Sequence, residues 1–187
     1  MVVIGIASSI AGGWLASARG GTHNAGSPRE DSLQMKTGKE LADGIRFAAE
    51  RVATLATITP DWDHQLGHQW TTRDVFLHLA ASSAGAAQVV PMLEGGMLTG
   101  LGTEQMGQMN AAGIGRLAEK SREDVLAQIR EGMEQSAAFV ETLDEADLAK
   151  VVTLGGYTWP KREIIAQIWI HHPIAHAYEA SARWPIQ

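Results

Sequence analysis

The chain of 187 residues contains no cysteine. That absence excludes disulfide scaffolds, thiolate zinc sites, iron–sulfur clusters and any reaction that uses a cysteine nucleophile from this polypeptide. It also leaves the redox compartment unreadable. Basic residues are in deficit: 15 Lys and Arg stand against 21 Asp and Glu, a formal net charge of -6 with a pI near 5.6. A protein held to nucleic acid by phosphate contacts needs the opposite sign, so nucleic acid is not expected as a partner. Long apolar runs are missing as well. A bilayer span takes about 20 consecutive apolar residues, and Val2 to Leu15 is shorter and broken by Gly5, Gly12 and Gly13. No membrane association is expected. Period-two alternation is sustained nowhere, and neither a GxSxG elbow nor a phosphate-binding P-loop occurs. Gly113-Ile114-Gly115-Arg116-Leu117-Ala118 has the GxGxxA form, but no strand precedes it and the dinucleotide reading loses its context.

What is present fits one globular core. Apolar residues make up 45% of the chain and the mean hydropathy is -0.08, which a single domain of this length can bury. Residues 1–34 stand apart, being first apolar and glycine-broken, then rich in Gly, Ser, Asn and Arg. They are expected to form a flexible, poorly ordered extension. Ala16-Ser17-Ala18 has the small-x-small form of a signal-peptide cleavage site, but no Lys or Arg precedes the apolar run as an n-region requires. The alternative, which we prefer, is a start assigned too early, with a cytoplasmic domain opening at Met35 and running over 35–187.

From residue 37 the apolar spacing is helical. Leu41, Ile45, Ala48, Val52 and Leu55 build one stripe on a helix over about 38–58, stopped by Pro60. Thr71 and Asp74 have the positions of a capping box, and Val75, Leu79, Ala86 and Val90 continue a second helix to about Leu93. After a glycine-rich connection, Met106, Met109, Ala112 and Leu117 mark a shorter helical segment. Ser121 and Asp124 open a third long helix to about Leu143, and a fourth begins near Pro160 and carries Ile164, Ile165, Ile168, Trp169, His172 and His176. The expected fold class is all-α, a four-helix bundle with one short extra helical segment. The tryptophans, Trp70 included, and the methionines read as packing.

Three histidines fall where chemistry is expected. His172 and His176 are four apart on one helix, which makes their side chains neighbours. Two imidazoles so placed can converge on one metal ion. His78 lies at the edge of the second helix's apolar stripe and can supply a third ligand. The competing reading makes all three ordinary hydrogen-bonded residues at the core's edge. His64 and His68 share the HxxxH spacing, but with Pro60 before them and Gly67 between them they read as a solvated loop. Pro173, inside the last helix, removes an N–H and strikes the carbonyl of Trp169, so a kink or bulge is expected there. Asp74 and Glu179 lie within reach of His78 and His176 as acceptors for a ring N–H. Each also has a plainer role, Asp74 as a capping residue and Glu179 as a solvated helix charge.

The string Trp70-Thr71-Thr72-Arg73-Asp74-Val75-Phe76-Leu77-His78-Leu79, the segment Met109-Asn110-Ala111-Ala112 and the HxxxH near the end of the chain together resemble the DinB-like superfamily. The nearest resemblance within it is to the metal-binding domain of mycothiol-dependent maleylpyruvate isomerases. It covers about residues 38–184 and implies a four-helix bundle holding a divalent metal through His78, His172 and His176. In the isomerase branch the first ligand of the last helix is commonly glutamate, and an additional C-terminal domain follows. His172 and the chain's end at Gln187 depart from that pattern, so maleylpyruvate isomerisation itself is not expected.

Three imidazoles leave a coordination position open, as catalytic sites do. With no cysteine in the chain, a thiol reaction needs an external low-molecular-weight thiol, and the resemblance implies mycothiol or bacillithiol. The expected function is a metal-dependent thiol transferase or isomerase acting on a small electrophilic molecule, with zinc, nickel or iron as the ion. The alternatives are a metal-dependent hydrolase and a non-catalytic metal-binding or interaction bundle, monomeric or a homodimer, whose ion fastens the second helix to the last.

Overall fold

The structure is a computed structural model that describes residues 35, 37–66 and 70–182. The expected N-terminal extension, His68 and Trp184 lie outside the described residues. Helix α1 spans Gly38–Ile58, and its start is fixed by a capping box. Thr37 Oγ1 accepts the Glu40 N–H at 3.1 Å, and the Glu40 carboxylate accepts the Thr37 N–H at 2.9 Å. A two-residue ladder, β1 Gln65–Leu66 with β2 Trp70–Thr71, leads into α2, Thr72–Ser82, and then α3, Ala86–Glu94. Next come α4, Thr103–Leu117, and α5, Arg122–Glu141. The short α6, Glu145–Leu148, precedes a hairpin of β3 Val151–Leu154 and β4 Tyr157–Pro160. The chain ends its described part with α7 Lys161–Ala166, a π-helical turn over Gln167–His171, and α8 His172–Ala182.

The fold is an all-α four-helix bundle of α1, α2, α5 and the α7–α8 rod, with α4 laid on the outside of α2. The expected stripe on α1 is buried at Leu41, Ile45, Ala48 and Val52, and the core is filled by Phe76, Ile129, Met133, Ile164, Ile165 and Trp169. Burying one such side chain contributes about 1.5–3 kcal/mol, which is why the apolar period dictates the bundle. Two arginines close helix ends across the bundle. Arg122 donates to the carbonyls of Ala56, Thr57 and Thr59 at the end of α1, with its guanidinium stacked 4.9 Å over the Trp62 ring. Arg73 donates to Ala118 O and Lys120 O beyond the end of α4, at 2.9 and 2.6 Å. Positive charge at these carbonyls meets the negative end of each helix dipole.

One expectation is corrected. The second helix is not continuous to Leu93: it breaks between Ser82 and Ala86, and α3 leaves α2 at 69°. The cause is a long-range hydrogen bond. Ser136 Oγ of α5 donates to Ser83 O at 2.6 Å and accepts from Ala86 N at 3.3 Å, occupying both groups freed by the break. Gly132, one turn earlier on α5, lets the two chains meet there, since a Cβ in its place would lie 2.1 Å from Ser83 Oγ. Two short two-stranded ladders accompany the helices. In β3–β4 the chain reverses at Gly155 and Gly156, whose φ values of 55° and 85° suit a primed hairpin turn. Among the described residues no single helix is long and apolar enough to cross a membrane.

Candidate metal centre

The site begins with the cap of α2. Thr71 Oγ1 accepts the Asp74 N–H at 3.1 Å, and the Asp74 carboxylate accepts the Thr71 N–H at 2.8 Å and the Thr71 hydroxyl at 2.8 Å. Asp74 therefore serves the helix start, as its plainer reading holds. The second predicted cap is half formed: Ser121 Oγ accepts the Asp124 N–H, while the Asp124 carboxylate takes the Ser121 hydroxyl instead of its backbone N–H. With α2 fixed in this way, His78 projects into the bundle at 2% exposure.

His172 and His176 come from α8, one turn apart. The bulge expected from Pro173 lies directly before it. His172 N–H donates to Gln167 O, five residues back, so the helix widens by one residue just where the proline ring would meet the Trp169 carbonyl. This sets the rotation of α8 about its axis, and both histidines turn toward α2.

The three rings converge. His78 Nε2 and His172 Nε2 are 3.2 Å apart, though the residues are 94 positions apart in the chain. Ring centroids lie at 5.2 Å for His78–His172, 5.5 Å for His78–His176 and 4.6 Å for His172–His176. The ring planes are mutually perpendicular, at 86–89°. One potential ligand atom from each ring falls within 4.8 Å of the others. Two imidazole nitrogens at 2.0–2.1 Å from one ion with a tetrahedral angle between them lie about 3.3–3.4 Å apart. The observed 3.2 Å fits that requirement, and three buried imidazoles are a donor set suited to a borderline-soft divalent cation. These residues can hold a metal ion.

The surroundings determine access. His172 is 7% exposed and the His176 side chain 12%, so the cluster meets solvent on the His176 side. Trp70, read from the sequence as packing, forms the wall there: its ring is 5.1 Å from His78 and 6.0 Å from His176. The β1–β2 ladder holds Trp70 in place, and Gln65 Nε2 donates to its carbonyl at 3.1 Å. Its presence in the same ten-residue string as His78 was the available sign. Beyond His176, Glu179 Oε2 lies 3.4 Å from His176 Nδ1, and the imidazole beside it holds the Glu179 carboxyl below the ordinary glutamate range. His171 is exposed and outside the cluster, and His64 contributes its carbonyl to Thr72 N instead of a ring to the site.

The family model described as the DinB superfamily matches residues 46–180, a span that holds all three histidines. No curated protein and no solved structure matches the chain.

Proposed function

This chain belongs to the DinB superfamily, and on that premise we propose that it is a divalent-metal enzyme in which His78, His172 and His176 hold zinc, nickel or iron. The reaction proposed is transfer or isomerisation of a small electrophilic molecule with an external low-molecular-weight thiol, such as mycothiol or bacillithiol. The observation that carries it is the convergence of three perpendicular imidazoles at the edge of the core. A divalent ion in such a site supplies Lewis acidity, polarising a carbonyl or lowering the pKa of a thiol or water toward neutrality.

The chain's own residues account for the rest. Three neutral ligands leave the ion's charge uncancelled and a position free for an incoming anion. Trp70 lies beside the rings of His78 and His176 and gives the site an aromatic wall. The absence of cysteine requires the thiol to arrive from solution, and the less buried His176 marks the side by which it enters. A second reading has its own observation: 3.2 Å between two Nε2 atoms is also the separation of a neutral imidazole pair sharing one proton. In that reading the cluster is a metal-free element of the core.

Elemental analysis of untagged protein, purified without chelator beside His172→Ala, separates the two. About one zinc, nickel or iron per chain, lost in the variant, is expected on three-imidazole coordination. Absence of metal, with none taken up on titration, refutes the metal reading. The loaded protein is then given mycothiol or bacillithiol with a small haloaromatic electrophile. Thiol loss above the uncatalysed rate, absent in His172→Ala, is the expected result. Hydrolysis without thiol loss identifies a hydrolase instead, and neither reaction leaves a non-catalytic metal-binding bundle.

A further inference from the structure

We propose that Glu179 is a positioning residue for the metal centre: its carboxylate accepts the Nδ1–H of His176 and so presents Nε2 of that ring to the point shared with His78 and His172. The inference rests on the metal reading above and deepens it by assigning a tautomer and a partner to one ligand.

The two other rings set the pattern, because His78 and His172 face each other through Nε2. His176 Nδ1 is buried and has no well-aligned hydrogen-bond partner, and the Glu179 carboxylate oxygen Oε2 lies 3.4 Å from it. Glu179 stands three residues further along α8, the spacing at which two helical side chains meet. A neutral imidazole carries one N–H and one lone pair. An acceptor at Nδ1 therefore keeps the proton on that atom and leaves the lone pair on Nε2. The Glu179 side chain is 46% exposed, so its charge stays hydrated while one oxygen serves the ring. Asp74, the carboxylate four residues before His78, is committed to the α2 cap. Glu179 is thus, among the described residues, an acidic side chain placed to orient a ligand.

The experiment is a zinc titration of the full chain in competition with a chromophoric chelator, run on wild type, Glu179→Gln and Glu179→Ala. Loss of the acceptor in Glu179→Ala is expected to weaken zinc about 10–100-fold, as removal of such outer partners does, while Glu179→Gln, which keeps an acceptor oxygen, loses less than about 10-fold. The apo melting temperatures are expected to stay together, which separates orientation of a ligand from support of the helix. Nitrogen-15 spectra of the zinc-loaded wild type provide a readout that does not depend on folding of any variant: His176 is expected to bind through Nε2 with the proton on Nδ1. Coordination through Nδ1, or zinc affinity of Glu179→Ala within about two-fold of wild type, overturns the assignment. A wild type that takes up neither zinc nor, in parallel titrations, nickel or iron refutes the metal reading itself, a failure distinct from that of Glu179.

Discussion

Two buried polar clusters in this bundle make an instructive pair. The first joins Lys161, fully buried at the start of α7, to Glu94 at the end of α3 and Asp147 of α6. The Lys161 ammonium donates to both carboxylates, at 2.7 Å to Asp147, and its backbone N–H donates to Lys150 O at 2.8 Å. The second is the triad of His78, His172 and His176. In the lysine cluster the donors and acceptors are of opposite charge and satisfy one another inside the chain. In the triad they cannot all do so. Each of three converging nitrogens is either an N–H or a lone pair, so at least two are alike and cannot bond to each other. The lysine cluster is complete in itself and fastens three elements together. The triad cannot be complete in itself, and its three imidazoles can hold a metal ion.

If the contrast is sound, the two clusters respond to different perturbations. The largest effect is expected at the lysine. Lys161→Met leaves two carboxylates facing a vacated pocket, and breaking a buried ion pair in this way costs about 3–5 kcal/mol, here toward the lower figure because Glu94 and Asp147 both reach water. Urea unfolding measures it, and zinc uptake by the folded variant is expected to stay at the wild-type level. Loss of both properties together breaks the comparison.

Metal has the next largest effect, with the opposite selectivity. At a zinc concentration about 100 times its dissociation constant, the native state gains about 2.7 kcal/mol by mass action. That shift is expected in thermal melts of wild type and of Lys161→Met, and is expected to vanish in His172→Ala. A zinc-induced shift that survives His172→Ala places the ion elsewhere.

Acid gives the smallest effect. Lys150 and then Lys161 hold the Asp147 carboxyl below its ordinary value of 3.8. A depressed carboxylate contributes stability that is present above 3.8 and fades as the pH falls through the lower folded value. Part of that interaction is with Lys150, whose ammonium is exposed, so the contribution is under about 1 kcal/mol. Urea midpoints measured from pH 5 down to pH 2 are expected to fall less steeply in Asp147→Asn than in wild type. An identical slope removes Asp147 from the account of this cluster.

Much of this molecule was legible from local pattern. The stripe from Leu41 to Val52 specified α1, and the Thr71–Asp74 cap located the start of α2, because caps and helical periods involve residues only three or four apart. The His172–His176 pair was readable for the same reason. The hairpin at Gly155-Gly156 carried a turn signal, yet four-residue strands are too short for a period to stand out. The break after Ser82 had only Ser83 and Gly85 as local signs, too weak to interrupt the apolar stripe that runs across them. Its cause is a hydroxyl on Ser136, more than fifty residues away in the chain.

The sequence alone determined the helical bundle and nominated the histidines, since hydrophobic period and i,i+4 spacing act through neighbouring turns of one helix. Tertiary structure alone decided which groups meet. It brought His78 to His172 across 94 positions, set Trp70 beside the rings, and buried Lys161 between two acids. Such contacts follow from how whole helices pack and turn about their axes, and a pattern confined to one segment holds no record of the segment that will face it.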